Sequence, residues 1–317
     1  MAIFRAYTAT DLISPTAWRG TVVTADSGEF TLTDGGREAV YLGTGLRYAP
    51  DLYLVDGIVT AYEEYGRDGN LLGEAYDFRV PAFAVADAIY ANDLRGLLVT
   101  AFNGNDTVYG SQFSDRLSGF GGNDIINAGL GRNDIDGGTG FDYAVYSGRG
   151  ADFTIDVDDG VIYLTRRDGA INDALFSVER LSFDNGLLAF DEGAAAGYRL
   201  YQAAFDRTPD LGGLSYWVDR LDGGTSLTSA AADFIGSAEF RSLYGSSPTD
   251  AQFVDLLYRN VLDRPADGGG YDYWLDRMDS GMSRAEVLVA FSQSEENRVN
   301  VQGAIENGIW LDAAYLA

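Results

Sequence analysis

Oxygen-bearing side chains recur every nine residues in the middle of this 317-residue chain. Residues 104–148 divide without a gap into GNDTVYGSQ, FSDRLSGFG, GNDIINAGL, GRNDIDGGT and GFDYAVYSG. The third position of each block holds Asp106, Asp115, Asp124, Asn133 and Asp142. A calcium ion takes about 6–8 oxygen ligands, which carboxylates and backbone carbonyls can supply. The spacing therefore predicts calcium binding in this stretch.

Glycines and apolar residues keep the same register. The fifth position of each block holds Val108, Leu117, Ile126, Ile135 and Ala144. The first position is glycine in four blocks, at Gly104, Gly122, Gly131 and Gly140. Because glycine adopts positive φ without steric penalty, it lets a turn aim its carbonyl oxygens inward, and we predict that these four glycines belong to the metal sites. The alternative is a plain turn-rich surface loop, but five copies in one register favour calcium.

The blocks resemble the G-G-x-G-x-D-x-U-x nonapeptide of hemolysin-type secreted proteins, the repeats-in-toxin family. The resemblance implies a parallel β-roll in which two nonapeptides form one coil, with the apolar residue inside and the aspartate-bearing turns outside. Residues eighteen apart would then stack. We call the stack of Asp106, Asp124 and Asp142 the first edge and the stack of Asp115 and Asn133 the second edge.

The second edge departs from the pattern of the family. Asn133 offers a neutral amide where an acid is expected, Arg132 precedes it, and Phe113 replaces the glycine of its block. A neutral amide oxygen attracts a divalent cation less strongly than a carboxylate does. We therefore predict that the first edge binds calcium more tightly than the second edge.

The charge balance limits the possible partners. The chain has 48 acidic residues against 22 basic residues, all of them arginine, and a formal net charge of −26. Such a charge disfavours nucleic acid and anionic lipid as partners, because phosphates would be repelled. Clustered carboxylates also repel one another, so we expect the repeats to be disordered until metal binds.

The chain contains no histidine and no cysteine. This removes the commonest general base, the thiol nucleophile and any disulfide framework. We therefore predict that the protein is not an enzyme and has no catalytic residues. A carboxylate-based, polysaccharide-degrading enzyme is the less favoured alternative.

The sequence predicts an extracellular or cell-surface bacterial protein. The N-terminal segment MAIFRAYTATDLISP does not have the pattern of a standard signal peptide, and no segment reaches about 18 consecutive apolar residues. We therefore expect no membrane insertion. The repeats-in-toxin resemblance implies type I export with an uncleaved C-terminal signal, and the ending IWLDAAYLA is compatible with that route.

Composition and pattern divide the chain into four predicted domains. Alternating strands and Asp-Gly turns predict an N-terminal antiparallel β module that ends in helices, over residues 1–100. The calcium-binding β-roll covers 101–148 and a β cap of the roll covers 149–192. Residues 193–317 form an all-α tandem repeat with a C-terminal tail. The predicted fold class is multidomain β plus α.

The C-terminal third contains a second repeat, with an offset of 57 residues. This offset relates Trp217 to Trp274 and Asp210 to Asp267. We predict that the tryptophans lie in a core and that the two aspartates cap helices, in preference to a second calcium loop. The segment resembles a tandem helical domain of unknown function that often follows hemolysin-type repeats and is distantly similar to phycobilisome linkers. The N-terminal module resembles the one that precedes such repeats in secreted proteins of alphaproteobacterial type.

These expectations combine into a secreted, calcium-binding protein. Its roll would space end modules that serve adhesion by binding a glycan or a cell surface. Tyrosines of the N-terminal module could form a sugar-stacking surface, although packing of a small sheet is the favoured reading. The alternative function is calcium-dependent self-association into an extracellular matrix or surface layer.

Overall fold

A computed structural model describes residues 1–15 and 20–315. The chain divides into two compact units, Met1–Asp184 and Asn185–Ala317. The first unit contains a large mixed β structure with two helices, and the second is mainly helical. The prediction of a β-rich N-terminal part and a helical C-terminal part is therefore confirmed.

The N-terminal part of the first unit is a six-stranded sheet in the order β1-β6-β5-β4-β3-β2, in which every neighbouring pair is antiparallel. The strands are β1 (Ile3–Ala6), β2 (Thr21–Ala25), β3 (Glu29–Thr33), β4 (Glu38–Tyr48), β5 (Leu54–Tyr65) and β6 (Leu71–Pro81). Gly35 and Gly69 have φ of 85° and 75° in the turns that join β3 to β4 and β5 to β6. Helices α1 (Ala82–Ala91) and α2 (Leu94–Ala101) follow.

Tyrosines of this sheet take part in packing. Tyr41 is only 7% exposed, and its ring centroid lies 5.1 Å from that of Tyr62. The hydroxyl of Tyr62 donates a hydrogen bond to Glu64, and that of Tyr65 donates to Glu63. The packing interpretation therefore describes these side chains better than a sugar-stacking surface does.

The nonapeptides form short strands that alternate between two parallel sheets. One sheet contains β7 (Thr107–Tyr109), β9 (Ile125–Asn127) and β11 (Tyr143–Val145); the other contains β8 (Arg116–Ser118) and β10 (Asp134–Asp136). Val108 pairs with Ile126, and Leu117 pairs with Ile135, so paired residues are eighteen apart. The five fifth-position residues are at most 1% exposed and form the core between the sheets.

Both parallel sheets continue beyond the nonapeptides. At one end, β1 lies parallel to β7, and Phe4 pairs with Val108. At the other end, β14 (Asn172–Phe176) lies parallel to β10 and β15 (Arg180–Phe183) lies parallel to β11. The apolar columns extend accordingly through Phe4, Leu12, Leu175 and Leu181, each no more than 7% exposed.

A hairpin interrupts the repeat before these last strands. Strands β12 (Phe153–Asp158) and β13 (Val161–Arg166) pair antiparallel, and β13 pairs antiparallel with β14. Asp134 pairs with Ala174, a separation of 40, whereas the repeat separation is 18. The hairpin region therefore adds 22 residues to one coil (40 against 18), which hides the last coil from a search for nine-residue spacing.

The second unit repeats one four-helix pattern. It contains α3 (Glu192–Phe205), α4 (Leu211–Asp222), α5 (Leu227–Ile235), α6 (Ala238–Tyr244), α7 (Asp250–Leu262), α8 (Gly268–Asp279), α9 (Arg284–Ser292) and α10 (Glu295–Ile305). Helices α4, α5 and α6 begin 57 residues before α8, α9 and α10. Strands β16 (Gly186–Ala189) and β17 (Ile309–Leu311) pair antiparallel in the same unit.

Sequence-predicted caps and core residues hold this unit together. Asp210 accepts a hydrogen bond from the Gly213 N–H, and Asp267 accepts one from the Gly270 N–H, so both cap helices as predicted. Trp217 and Trp274 are partly buried against the core. Among residues 1–15 and 20–315, no helix combines the length and apolarity needed to cross a bilayer.

Candidate metal centre

The first edge is a ladder of hydrogen bonds between successive coils. The Asp106 N–H donates to Oδ1 of Asp124 at 2.8 Å, and the Asp124 N–H donates to Oδ1 of Asp142 at 2.8 Å. The Ala2 N–H donates to Oδ1 of Asp106. One oxygen of each carboxylate therefore fixes the neighbouring coil, and the three acids stack with the eighteen-residue separation that the sequence predicts.

The other oxygen of each first-edge carboxylate is buried without a partner. Asp106, Asp124 and Asp142 are at most 3% exposed, and Oδ2 of each has no hydrogen-bond donor. A buried, unsatisfied polar group costs about 1–3 kcal/mol, and more when it is charged. A bound cation would remove that cost, so these orphaned oxygens fit a metal site.

A backbone carbonyl accompanies the unpartnered oxygen at Asp124. A Cβ built on Gly119 would lie 2.3 Å from Oδ2 of Asp124 and 2.5 Å from the carbonyl oxygen of Gly137. Two oxygen acceptors therefore converge on a space that only glycine leaves open. Within the described residues no three acidic side chains converge on one point, so backbone carbonyls must contribute to any calcium shell.

Burial makes the first-edge carboxylates poor anions in the absence of a cation. Desolvation raises the pKa of Asp124 to about 7, and the neighbouring Asp142 and Asp106 charges add to the shift. Desolvation also raises the pKa of Asp142 to about 6, with a further contribution from Glu179. The pKa of Asp106 is raised for the same main reason. A bound cation would favour the ionised form of these buried groups and would lower their pKa again.

The second edge satisfies its own polar atoms. Oδ2 of Asp115 accepts hydrogen bonds from the Ser111 N–H at 2.7 Å and the Ser111 hydroxyl at 2.9 Å, and Oδ1 accepts from the Thr10 N–H at 2.7 Å. Oδ1 of Asn133 accepts from the Asp115 N–H at 2.9 Å. Every side-chain oxygen of these two residues thus has a donor from the protein.

The amide group of Asn133 links two acceptors of the second edge. Its Nδ2 donates to Oδ1 of Asp173 at 2.9 Å and to the carbonyl of Leu130 at 3.3 Å. Oδ2 of Asp173 accepts from the Tyr146 hydroxyl at 3.0 Å. The acceptors of the second edge are therefore bridged by N–H and O–H groups of the chain itself.

Three of the four predicted site glycines have positive φ. Gly122, Gly131 and Gly140 have φ of 116°, 98° and 133°, whereas Gly104 lies outside the positive-φ region. A Cβ on Gly140 would lie 1.9 Å from the Gly122 carbonyl oxygen, and one on Gly122 would lie 2.1 Å from that of Gly104. Close stacking of successive turns thus requires glycine here.

The structure adds members to both edges that the sequence analysis missed. Glu179 continues the first edge, since its Oε2 accepts the Asp142 N–H at 2.7 Å. Asp173 continues the second edge, since its Oδ1 accepts the Asn133 N–H at 3.0 Å. Both follow the inserted hairpin, so their spacing carries no nine-residue signal. The apolar residue two positions later, Leu175 or Leu181, is the remaining clue.

Comparison with known proteins supports the assignment of the repeats. The RTX calcium-binding nonapeptide repeat family matches residues 100–135 and 109–144. The domain of unknown function DUF4214 matches residues 198–230 and 231–301. The two resemblances that the sequence predicted are thereby confirmed, while the alphaproteobacterial type and the likeness to phycobilisome linkers stay predictions. RTX nonapeptide repeats bind Ca²⁺, so calcium is the metal of this protein.

A solved structure shows a partial likeness to the chain. The crystal structure of the extracellular lipase LipA from Serratia marcescens is 23% identical to this chain, with a TM-score of 0.26. The likeness covers 28% of this chain and only 16% of the lipase. No curated protein matches the sequence.

Proposed function

We propose that this is a secreted, non-enzymatic protein whose repeats form a calcium-stabilised β-roll and whose flanking modules bind an extracellular polysaccharide or a cell surface. Parallel strands with eighteen-residue pairing support the roll. The repeat family supports both calcium and secretion, since RTX repeats are typical of secreted proteins. Adhesion is the role that such a metal-dependent spacer would serve.

The observation that carries the proposal is the row of unpartnered Oδ2 atoms at Asp106, Asp124 and Asp142. Each belongs to a buried carboxylate whose other oxygen already holds a backbone N–H. Calcium on the first edge would neutralise carboxylates that otherwise repel one another and would tie successive coils together. The second edge, with its acceptors already bridged, would contribute less to binding.

The chemistry of the chain supports a binding role without catalysis. With no histidine and no cysteine in the sequence, acid–base and nucleophilic work would fall to carboxylates. Burial raises the pKa of several carboxylates, including Asp206 at the C-terminal end of α3. Those raised to about 6 or 7, Asp124, Asp142 and Asp173, lie within the two edges and accept backbone or side-chain N–H groups. These three carboxylates stabilise the stacking of successive coils.

Calcium dependence also fits a life outside the cell. Calcium sites of extracellular modules bind with dissociation constants of about 10⁻⁴–10⁻³ M, so they fill outside the cell and stay empty inside it. The roll would then remain loose before export, which suits type I secretion. Folding would follow release.

The test is a calcium titration followed by circular dichroism and light scattering. Wild-type protein in EGTA should lose part of its β signal and increase its hydrodynamic radius, and added calcium should restore both as a compact monomer. A polysaccharide array with and without EGTA then tests adhesion. Growth into large particles with calcium alone would favour a self-assembling matrix protein, and unchanged spectra and radius in EGTA would remove the basis of the proposal.

A further inference from the structure

The first edge extends past the last nonapeptide to a residue of another type. Tyr143 pairs with Arg180, so Asp142 lies opposite Glu179. The Asp142 N–H donates to Oε2 of Glu179 at 2.7 Å, just as the Asp124 N–H donates to Oδ1 of Asp142 at 2.8 Å. Glu179 therefore occupies the aspartate position of the next coil.

A shortened turn explains why this position holds glutamate. Asp136 pairs with Phe176, a separation of 40, while Tyr143 pairs with Arg180, a separation of 37. The last coil thus has three residues fewer between its two strands (40 against 37). The chain takes a shorter path around the edge, and the additional methylene of glutamate returns the carboxylate to the ladder.

The same turn supplies a carbonyl oxygen. Ser177 has φ of 49°, a left-handed conformation that is uncommon for serine. A Cβ built on Gly137 would lie 2.0 Å from the Ser177 carbonyl oxygen and 2.7 Å from Oδ2 of Asp142. This arrangement repeats the one at Gly119, where the Gly137 carbonyl and Oδ2 of Asp124 converge.

This end of the first edge holds a buried acceptor that no donor satisfies. Asp142 is 0% exposed, and its Oδ2 has no hydrogen-bond partner. The neighbouring Glu179 carboxylate carries a charge of the same sign. The guanidinium of Arg180, the next residue along the chain, lies 4.8 Å from the centroid of the Phe141 ring. A buried acceptor beside a second carboxylate and a backbone carbonyl is the donor set of a hard divalent cation.

We infer that the first edge carries a calcium site beyond the nonapeptides, formed by the Asp142 and Glu179 carboxylates and the Ser177 carbonyl. The inference rests on the proposed calcium-binding function and extends it to the last coil. This site joins the repeats to the segment behind the inserted hairpin. Calcium would thereby order β14 and β15 together with the repeats.

The test compares calcium stoichiometry in Glu179→Gln and in a matched control, Glu64→Gln. The amide of Glu179→Gln would keep an oxygen that accepts the Asp142 N–H, so the ladder is retained while the charge is lost. Glu64 is also partly buried in the first unit, but it lies on β5, away from both edges. Equilibrium dialysis with ⁴⁵Ca²⁺ should find one ion fewer, or one ion bound about tenfold more weakly, in Glu179→Gln and the wild-type result in Glu64→Gln.

A second variant tests whether the length of the side chain at position 179 matters in addition to its charge. Glu179→Asp keeps the charge but lacks the methylene that the shortened turn requires, and it should also weaken one ion. Circular dichroism in saturating calcium identifies the variants that fold. If a folded Glu179 variant binds the wild-type number of ions at wild-type affinity, the inference is wrong while the proposed function stands. If the wild-type protein binds no calcium, the proposed function itself fails.

Discussion

Nδ2 of Asn133 donates a hydrogen bond to Oδ1 of Asp173 at 2.9 Å, at a level of the coils where the first edge pairs one carboxylate with another. One edge therefore joins its coils with an amide, and the other leaves buried oxygens for a cation. We therefore expect the second edge to contribute mainly to the stability of the calcium-free protein, and the first edge mainly to calcium affinity. The two can be tested independently.

Asn133→Asp should make the second edge dependent on calcium. The change replaces a donor by an acceptor that faces Asp173 and the Leu130 carbonyl, so the calcium-free protein should lose about 1–3 kcal/mol of unfolding free energy. Saturating calcium should recover much of the loss. Urea unfolding with and without calcium measures both. Asn105→Asp is the control, because the Asn105 side chain accepts a hydrogen bond from the Asn123 N–H, which a carboxylate can also accept, and it should change little.

Asp124→Asn should mainly lower calcium affinity, whereas Asp115→Asn should mainly lower stability. Asp124→Asn keeps an acceptor for the Asp106 N–H but removes charge beside the Gly137 carbonyl, so calcium affinity should fall by about tenfold or more, which is about 1.4 kcal/mol. Asp115→Asn places an amide against the Ser111 donors and should mainly lower stability. Isothermal titration calorimetry distinguishes them. Equal losses of affinity would contradict the predicted difference between the edges.

Gly119→Ala should block calcium binding sterically. The new methyl group would lie 2.3 Å from Oδ2 of Asp124 and 2.5 Å from the Gly137 carbonyl oxygen. We therefore expect about 1–3 kcal/mol of destabilisation and a marked loss of affinity. Gly104→Ala is the matched control: the substitution keeps the backbone carbonyl, which is all that Gly104 could offer a metal, and nothing lies within 4 Å of the position that its new methyl group would take. Terbium luminescence titrations of both variants would reveal the contrast. Similar binding curves would refute it.

Without calcium, the first unit should become less stable as pH rises. Folding raises the pKa of Asp124 to about 7 and of Asp142 to about 6, from an ordinary value of 3.8. A carboxyl with a raised folded-state pKa favours its protonated form, so its contribution to stability is lost between about pH 4 and pH 7. Thermal unfolding of protein that has been stripped of calcium and transferred to calcium-free buffer should therefore occur at a lower temperature at about pH 7.5 than at about pH 5. Saturating calcium should remove or reverse that order.

The helical unit should respond to core mutation independently of calcium. Phe253 is 0% exposed and packs in the cluster that joins both halves of the duplication. Phe253→Ala should therefore cost about 3–5 kcal/mol of unfolding free energy. Three of the four tryptophans, Trp217, Trp274 and Trp310, belong to this unit, so tryptophan fluorescence during urea unfolding mainly follows it. The stoichiometry of calcium binding should remain that of the wild type.

Spacing predicted the periodic part of the fold and little of its continuation. The nine-residue register correctly indicated which residues stack and that Val108, Leu117 and Ile126 would be buried, because a coil of fixed length places equivalent residues above one another. The same logic, with the offset of 57, related the caps Asp210 and Asp267. Where the spacing is strictly periodic, it is sufficient to identify the residues that occupy equivalent positions in the fold.

The nine-residue spacing could not predict which segments pair with the first and last coils of the repeats. β1 pairs with β7 across about a hundred residues, and parallel pairing at that distance leaves no local sequence pattern. Glu179 and Asp173 follow an insertion that breaks the period. Whether Asp115 and Asn133 ligate calcium, as predicted, stays a prediction. The residue types alone could not show that Ser111 and the Asn133 amide already donate hydrogen bonds to the acceptors on that edge.

The hydrogen bond from the Ala2 N–H to Asp106 joins two segments that lie far apart in the chain. The segment that holds Ala2 is synthesised well before its partners, which lie about a hundred positions later, and closing so large a loop is slow. If those partners assemble only with calcium, the nascent polypeptide has no stable template for β1 inside the cell. If the protein is exported as proposed, the same long-range pairing that completes the sheet would keep the chain unfolded until it has left the cell.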